Sequence, residues 1–226
     1  MDTQLISEFL LMALVFVFST TVHEASHALA AKLGGDPTAY QGGQMTLDPL
    51  PHIKRSPIGM VVVPIVSFFF LFKGWMLGWA SAPYDPYWAN RHPRRASIMA
   101  LAGPASNFLI VLVSLIIIRI GLANDWFVFS NTYPFLDGPH GSFIKPVANL
   151  VSHFFTLNII LGVFNLIPLP PLDGAQGILI FFSESKAREI SEKLQSLGMF
   201  GLVLAWIIFN GIGGRAINFG WSIALW

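Results

Sequence analysis

The chain contains no cysteine among its 226 residues. Disulfides and thiolate metal sites are therefore excluded, and any zinc has to sit on His, Asp or Glu. Charge is scarce as well: Asp, Glu, Lys and Arg together make up 11% of the residues, and the formal net charge is +1. That balance gives no support to nucleic acid or a strongly acidic partner. The sequence shows no internal repeat, no low-complexity tract and no polar stretch long enough for a separate soluble domain. The first apolar run is preceded by Asp2 and Glu8 but by no Lys or Arg, so it does not read as a cleaved signal peptide.

What the chain has in abundance is apolar surface, with 54% hydrophobic residues. The expectation is an all-α polytopic membrane protein: one domain over 1–226, with a core over about 5–182 and a further C-terminal span over about 197–212. Four to six membrane segments are expected. Helix one covers roughly 5–33 and stops at Gly34-Gly35-Asp36-Pro37. A short β-leaning element, Met45-Thr46-Leu47, sits among turn glycines and reads as a hairpin or extended edge near the site described next. Further apolar stretches follow at 58–82, 97–118, 147–167, 175–182 and 197–212, the first interrupted by Pro64, Lys73, Gly74 and Gly78. Trp126, Trp221 and Trp226 suit membrane-interface positions.

Within helix one lies His23-Glu24-Ala25-Ser26-His27. Histidines at i and i+4 share a helical face, so both imidazoles can reach one metal ion, with the intervening glutamate placed beside a water at that ion. A histidine pair satisfied by neighbouring hydroxyls is the alternative. Glu24 is the only acid between Phe9 and Ala31, at a depth where a charge costs several kcal/mol, which favours a functional cluster. A third ligand is required. Asp173 is the only acid between Val147 and Ser183 and follows Pro168, Pro170 and Pro171, which should unwind the helix end. Capping of the helix that starts at Gly174 is its other possible role. Gly103-Pro104-Ala105-Ser106-Asn107 forms a locally opened stretch, read either as a support for a substrate backbone or as a small-residue packing patch. Asn158 and Asn165 read as interhelical hydrogen-bonding residues. His52, His92, His140 and His153 have no companion at ligand spacing and read as structural.

Charge bias orients the chain. If 58–82 enters and leaves on one side, then Lys32, Lys54, Arg55, Lys73, Arg91, Arg94, Arg95, Lys186, Arg188 and Lys193 share a face. Arg119, Lys145 and Arg215 are left on or near the other. A full crossing would make the counts nearly even, so a re-entrant hairpin is expected, with the N-terminus outside and the site toward the cytoplasmic side. Ligand geometry agrees. His23 lies roughly 27 Å from the start of helix one, and Asp173 is similarly far beyond the start of its span, so the two meet only if both spans run in one direction.

Taken in order, four pieces resemble the site-2 protease family of intramembrane zinc metalloproteases. They are His23 to Ala28, Met45-Thr46-Leu47-Asp48-Pro49-Leu50, Ala102 to Asn107, and Phe164-Asn165 through Pro168 and Pro171 to Leu172-Asp173-Gly174. The resemblance is closest to small forms without PDZ or CBS domains. It implies zinc on His23, His27 and Asp173, Glu24 as the general base, and Asn107 with Gly103 beside the substrate backbone. It further implies hydrolysis of peptide bonds in or near transmembrane segments of proteins in the lipid bilayer. Lys54-Arg55-Ser56 departs from the pattern, where an acid near His52 is expected. Two other classes fit these residues less well. A metal transporter or metal-binding membrane scaffold would scatter ligands along a route, often in two pseudo-symmetric halves. A prenyl-protein-processing protease would want a second Glu on a downstream helix, whereas Glu184, Glu189 and Glu192 fall in a charged connection.

Overall fold

The computed structural model describes residues 3–72, 74–133, 135–139 and 143–226. Lys73 and His140 therefore lie outside the described residues. Among the described residues four helices are long and apolar enough to cross a membrane: α1 (Thr3–Gly34), α6 (Pro93–Ala123), α7 (Lys145–Asn165) and α10 (Phe200–Leu225). Short helices connect them: α2 (Thr38–Gln41), α3 (Pro49–Arg55), α4 (Ile58–Leu71), α5 (Pro86–Arg91), α8 (Asp173–Gly177) and α9 (Glu184–Gln195). Many of their outward side chains, such as Leu10, Leu14, Leu109, Leu112, Val203 and Ile207, are exposed and apolar. That is the surface of a protein solvated by lipid.

α1, α6 and α7 form the centre. Trp88 Nε1 and Arg95 Nη1 both donate to the Gly34 carbonyl, which sets the start of α6 beside the end of α1. α6 therefore runs back along α1. A two-stranded sheet, β1 (Val128–Phe129) with β2 (Leu136–Asp137), turns the chain at the far end. α7 then returns in the direction of α1, with Phe18 against Phe154 and Asn158 bonded to Ser19. The parallel arrangement required of the two ligand-bearing segments is present.

The stretch at 58–82 folds back on itself. α4 meets α3 at 111° and contains π-helical turns at Ile58–Val62 and Ser67–Leu71. Pro64 provides the local cause, since it cannot donate to the carbonyl four residues earlier. The return is extended: Leu77 N–H donates to Ser67 Oγ at 2.8 Å, Trp79 N–H to Gly59 O at 3.1 Å, and Arg55 Nε to Ser81 O at 3.0 Å. Phe68 and Met76 pack on Met12 and Phe16 of α1, and Trp75 at the tip lies on Tyr133. At 1.5 Å per residue α4 is about 21 Å long, short of the roughly 30 Å hydrocarbon layer.

Four expectations change. Residues 45–47 form bends, not a strand, because local bonds take their backbone groups: Thr46 Oγ1 accepts from Asp48 N–H, and His52 Nε2 from its ring bonds Thr46 O. The last span continues past the glycines at 211, 213 and 214 to Leu225. In lipid every backbone group needs an internal partner, and that outweighs the poor helix propensity of glycine. The charged connection after residue 183 is a helix, α9, held by exposed Lys186 and Lys193 pairs to Glu189. Trp221 is buried rather than interfacial, packed on Phe135 and Phe155 with Nε1 donating to Thr156 Oγ1.

Candidate metal centre

One helical turn brings His23, Glu24 and His27 into the interior, each exposed by 8% or less. Both imidazoles spend Nδ1 on the protein. His23 Nδ1 donates to Asn107 Oδ1 at 2.6 Å and His27 Nδ1 to the Met99 carbonyl at 2.7 Å. With the protons on Nδ1, each Nε2 carries a lone pair, and the two lie 3.0 Å apart. Asp173 Oδ2 completes a triangle at 3.0 Å from His23 Nε2 and 3.3 Å from His27 Nε2.

Asp173 reaches this point because α7 ends at Asn165 and the proline-rich turn folds α8 back onto α6. Ser97 Oγ donates to the Gln176 carbonyl there. Gly174 lies against the carbonyl oxygens of Leu166 and Ile167, where a Cβ would overlap them. Asp173 is the first residue of α8, Leu172 is the N-cap, and no side-chain capping bond is made. Capping as the sole role of Asp173 is thereby removed.

Three such ligand atoms this close repel one another unless a proton or a metal cation sits among them. The triangle has the right size: ligands about 2.0–2.1 Å from a tetrahedral zinc ion are separated by about 3.3 Å. The space is also kept open. A Cβ on Gly103 would strike His27 Nε2 and approach within 2.5 Å of His23 Nε2. Two imidazole nitrogens, one carboxylate oxygen and a glycine-walled gap fit zinc with a coordination position to spare.

Asn107 is fully buried, with Oδ1 bonded to His23 and Nδ2 to Asn158, which sets it directly beside a candidate metal ligand. Gly103 likewise faces the ligand atoms. Asn158 does bond between helices, whereas Asn165 donates to Leu161 O within its own helix. His52 is buried on the Thr46 carbonyl, and His153 Nδ1 donates to the Asn149 carbonyl, both as structural residues. Sequence reading missed the Met99 carbonyl as a partner of His27. No pattern in the sequence marks that carbonyl, since Pro104 frees the carbonyl of Ala100 and not that of Met99.

Just beyond α1, Asp36 accepts from Thr38 N–H, Thr38 Oγ1 and Asp85 N–H, tying the end of the ligand-bearing helix to the start of α5. Burial by itself would raise its pKa, but these donors hold it below the usual carboxylate range.

The model of peptidase family M50 matches residues 11–209 of the chain. YwhC of Bacillus subtilis, named as a candidate zinc metalloprotease, is 29% identical over 168 residues, covering 72% of this chain and 65% of the relative. Rip2 of Mycolicibacterium smegmatis, named in the same terms, is 29% identical over 169 residues, covering 74% of this chain and 55% of the relative. The match thus spans less than two thirds of either relative. No solved structure matches the chain.

Proposed function

This chain belongs to peptidase family M50, the site-2 protease family, and from that premise we propose that it is an intramembrane zinc metalloprotease. Its substrates are transmembrane proteins, cut in or near their membrane segments. The observation that carries the reading is the convergence of His23 Nε2, His27 Nε2 and Asp173 Oδ2 within 3.3 Å of one another beside Gly103, with a buried carboxylate in the same helical turn.

His23, His27 and Asp173 hold the ion. When bound, zinc supplies a Lewis acid and brings the pKa of a water toward about 7. Glu24 accepts the proton of the attacking water and returns it to the leaving amine as the peptide bond breaks. A substrate helix has to unwind locally before its carbonyl can be attacked, because its own hydrogen bonds otherwise cover it. The charge bias of the connecting segments supports a centre toward the cytoplasmic side, with the N-terminus of α1 outside.

The test is the Glu24→Gln variant of the purified chain, assayed for zinc content and for cleavage of a transmembrane substrate. Glutamine keeps size and polarity but cannot take the proton. Zinc should remain while cleavage falls on the order of 10² to 10⁴-fold. Near-normal cleavage would remove Glu24 as the base, and a wild-type chain that holds no zinc would remove the reading altogether.

A further inference from the structure

A line of hydrogen bonds enters the metal centre from the middle of the helix bundle. Asn158 Nδ2 donates to the Phe154 carbonyl at 2.8 Å and to Ser19 Oγ at 2.9 Å. Asn158 Oδ1 accepts from Asn107 Nδ2 at 2.8 Å, and Asn107 Oδ1 accepts from His23 Nδ1 at 2.6 Å. Ser19, Asn107 and Asn158 are each 0% exposed, so water cannot substitute for a missing partner.

Each orientation in the line follows from the one before. A backbone carbonyl only accepts, so the atom of Asn158 that faces Phe154 O must be the amide nitrogen. Asn158 then presents its oxygen to Asn107, which answers with nitrogen and turns its own oxygen toward His23. That oxygen requires a proton on His23 Nδ1, which leaves the lone pair on Nε2.

The requirement is not idle. Asp173 Oδ2 lies 3.0 Å from His23 Nε2, a distance at which the carboxylate would hold a proton on that nitrogen. A proton there would block the ligand position. The amide line opposes that pull from the other side of the ring.

We propose that Asn158 is a positioning residue for the metal centre, acting through Asn107 to keep the His23 proton on Nδ1 and its lone pair toward zinc. The proposal rests on the zinc reading above. It differs from a mere interhelical contact in one respect: the part that matters is the direction of the amides. A partner for His23 that needs no orienting should make Asn158 dispensable. Asn107→Asp is such a partner, since both carboxylate oxygens accept.

The experiment is zinc affinity of the purified 226-residue chain by competition with a chelator, beside a thermal melt. Asn158→Leu, which removes donor and acceptor together, should weaken zinc by about 10- to 100-fold, as outer-shell changes do. Asn107→Asp by itself sets a carboxylate oxygen against Asn158 Oδ1, so it is read together with Asn158→Leu, where that clash is gone: the double variant should regain most of the affinity that Asn158→Leu loses. Asn158→Asp, whose protonated carboxyl can accept from Asn107 and donate to Phe154 O, should bind close to wild type. If Asn158→Leu does not fold, Asn158→Ser, too short to reach Asn107, is read in the same way. A double variant as weak as Asn158→Leu alone would mean a structural role and overturn the proposal. So would wild-type affinity in the single variant, with the zinc reading left standing. Absence of zinc from the wild-type chain would overturn both.

Discussion

Asp173 and Gly103 act on the same few ångströms in opposite ways, one by bringing an atom in and the other by leaving one out. Serine caps helices about as well as aspartate, and Asp173 makes no capping bond, so Asp173→Ser should leave the melt nearly unchanged. Its hydroxyl is a poor zinc ligand, so zinc per protein after mild chelation should drop sharply and cleavage should vanish. Retention of wild-type zinc would send the search for a third ligand elsewhere. Gly103→Ala should have a similar readout for a different reason. The added methyl would fall where the two Nε2 atoms converge, so the imidazoles must swing away and the ligand triangle opens. Expected are a folded protein, zinc occupancy well below wild type, and no rescue by excess zinc at neutral pH. Full occupancy in Gly103→Ala would mean that the gap is not the ion's place. At this scale His23, Glu24 and His27 were legible, because one helical turn is set by local geometry. Asn107 was legible as a candidate, but its bonds to His23 and Asn158 were not, because those partners come from two other helices.

The hairpin is the element whose course decides whether α1 and α7 run in the same direction. Arg55 to Ser81 and Gly59 to Trp79 close its base, so the connections on either side of it emerge together. Cysteines placed at Thr46 and Asn90 should therefore react with an impermeant thiol reagent from the same side of the membrane. Reaction from opposite sides would contradict the hairpin and with it the parallel spans. At the junction of α1 and α5, Asp36 has a folded pKa held below its unfolded value. The anchoring it provides is complete above the unfolded pKa and is lost as pH falls through the folded one. Fluorescence of Trp88, whose indole bonds the adjacent Gly34 carbonyl, should report a transition below about pH 4 that Asp36→Asn abolishes. Persistence of the transition in that variant would assign it to another group. Element boundaries were less legible than elements. The last span was expected to end near residue 212, but it runs to Leu225, since a helix in lipid cannot leave its carbonyls bare.

Across the whole molecule, the proposed zinc ligands would link α1 to the start of α8, both of which pack on α6. A metal held there would bind the folded state, so its removal should lower the melting temperature of the solubilised protein and its return should restore it. At a free concentration about a thousand times Kd the linkage amounts to about 4 kcal/mol. Asp173→Ser should melt at one temperature with or without the metal. A wild-type melt indifferent to chelation would separate the metal from the stability of the bundle. By itself the sequence determined the membrane class, a count of four to six membrane segments, the histidine pair one turn apart and Asp173 as a candidate third ligand. These are readable because hydropathy, helical period and the scarcity of acids are local or compositional properties. Only the tertiary structure decided that Asp173 meets His23 across 150 positions and that Asn107 meets it across 84. The same holds for the burial of Trp221 at β2 and α7, and for the loss of the strand at 45–47 to the bonds around His52. Each of those outcomes is set by which neighbour a group finds once the helices have packed, and a pattern along one chain carries no term for that.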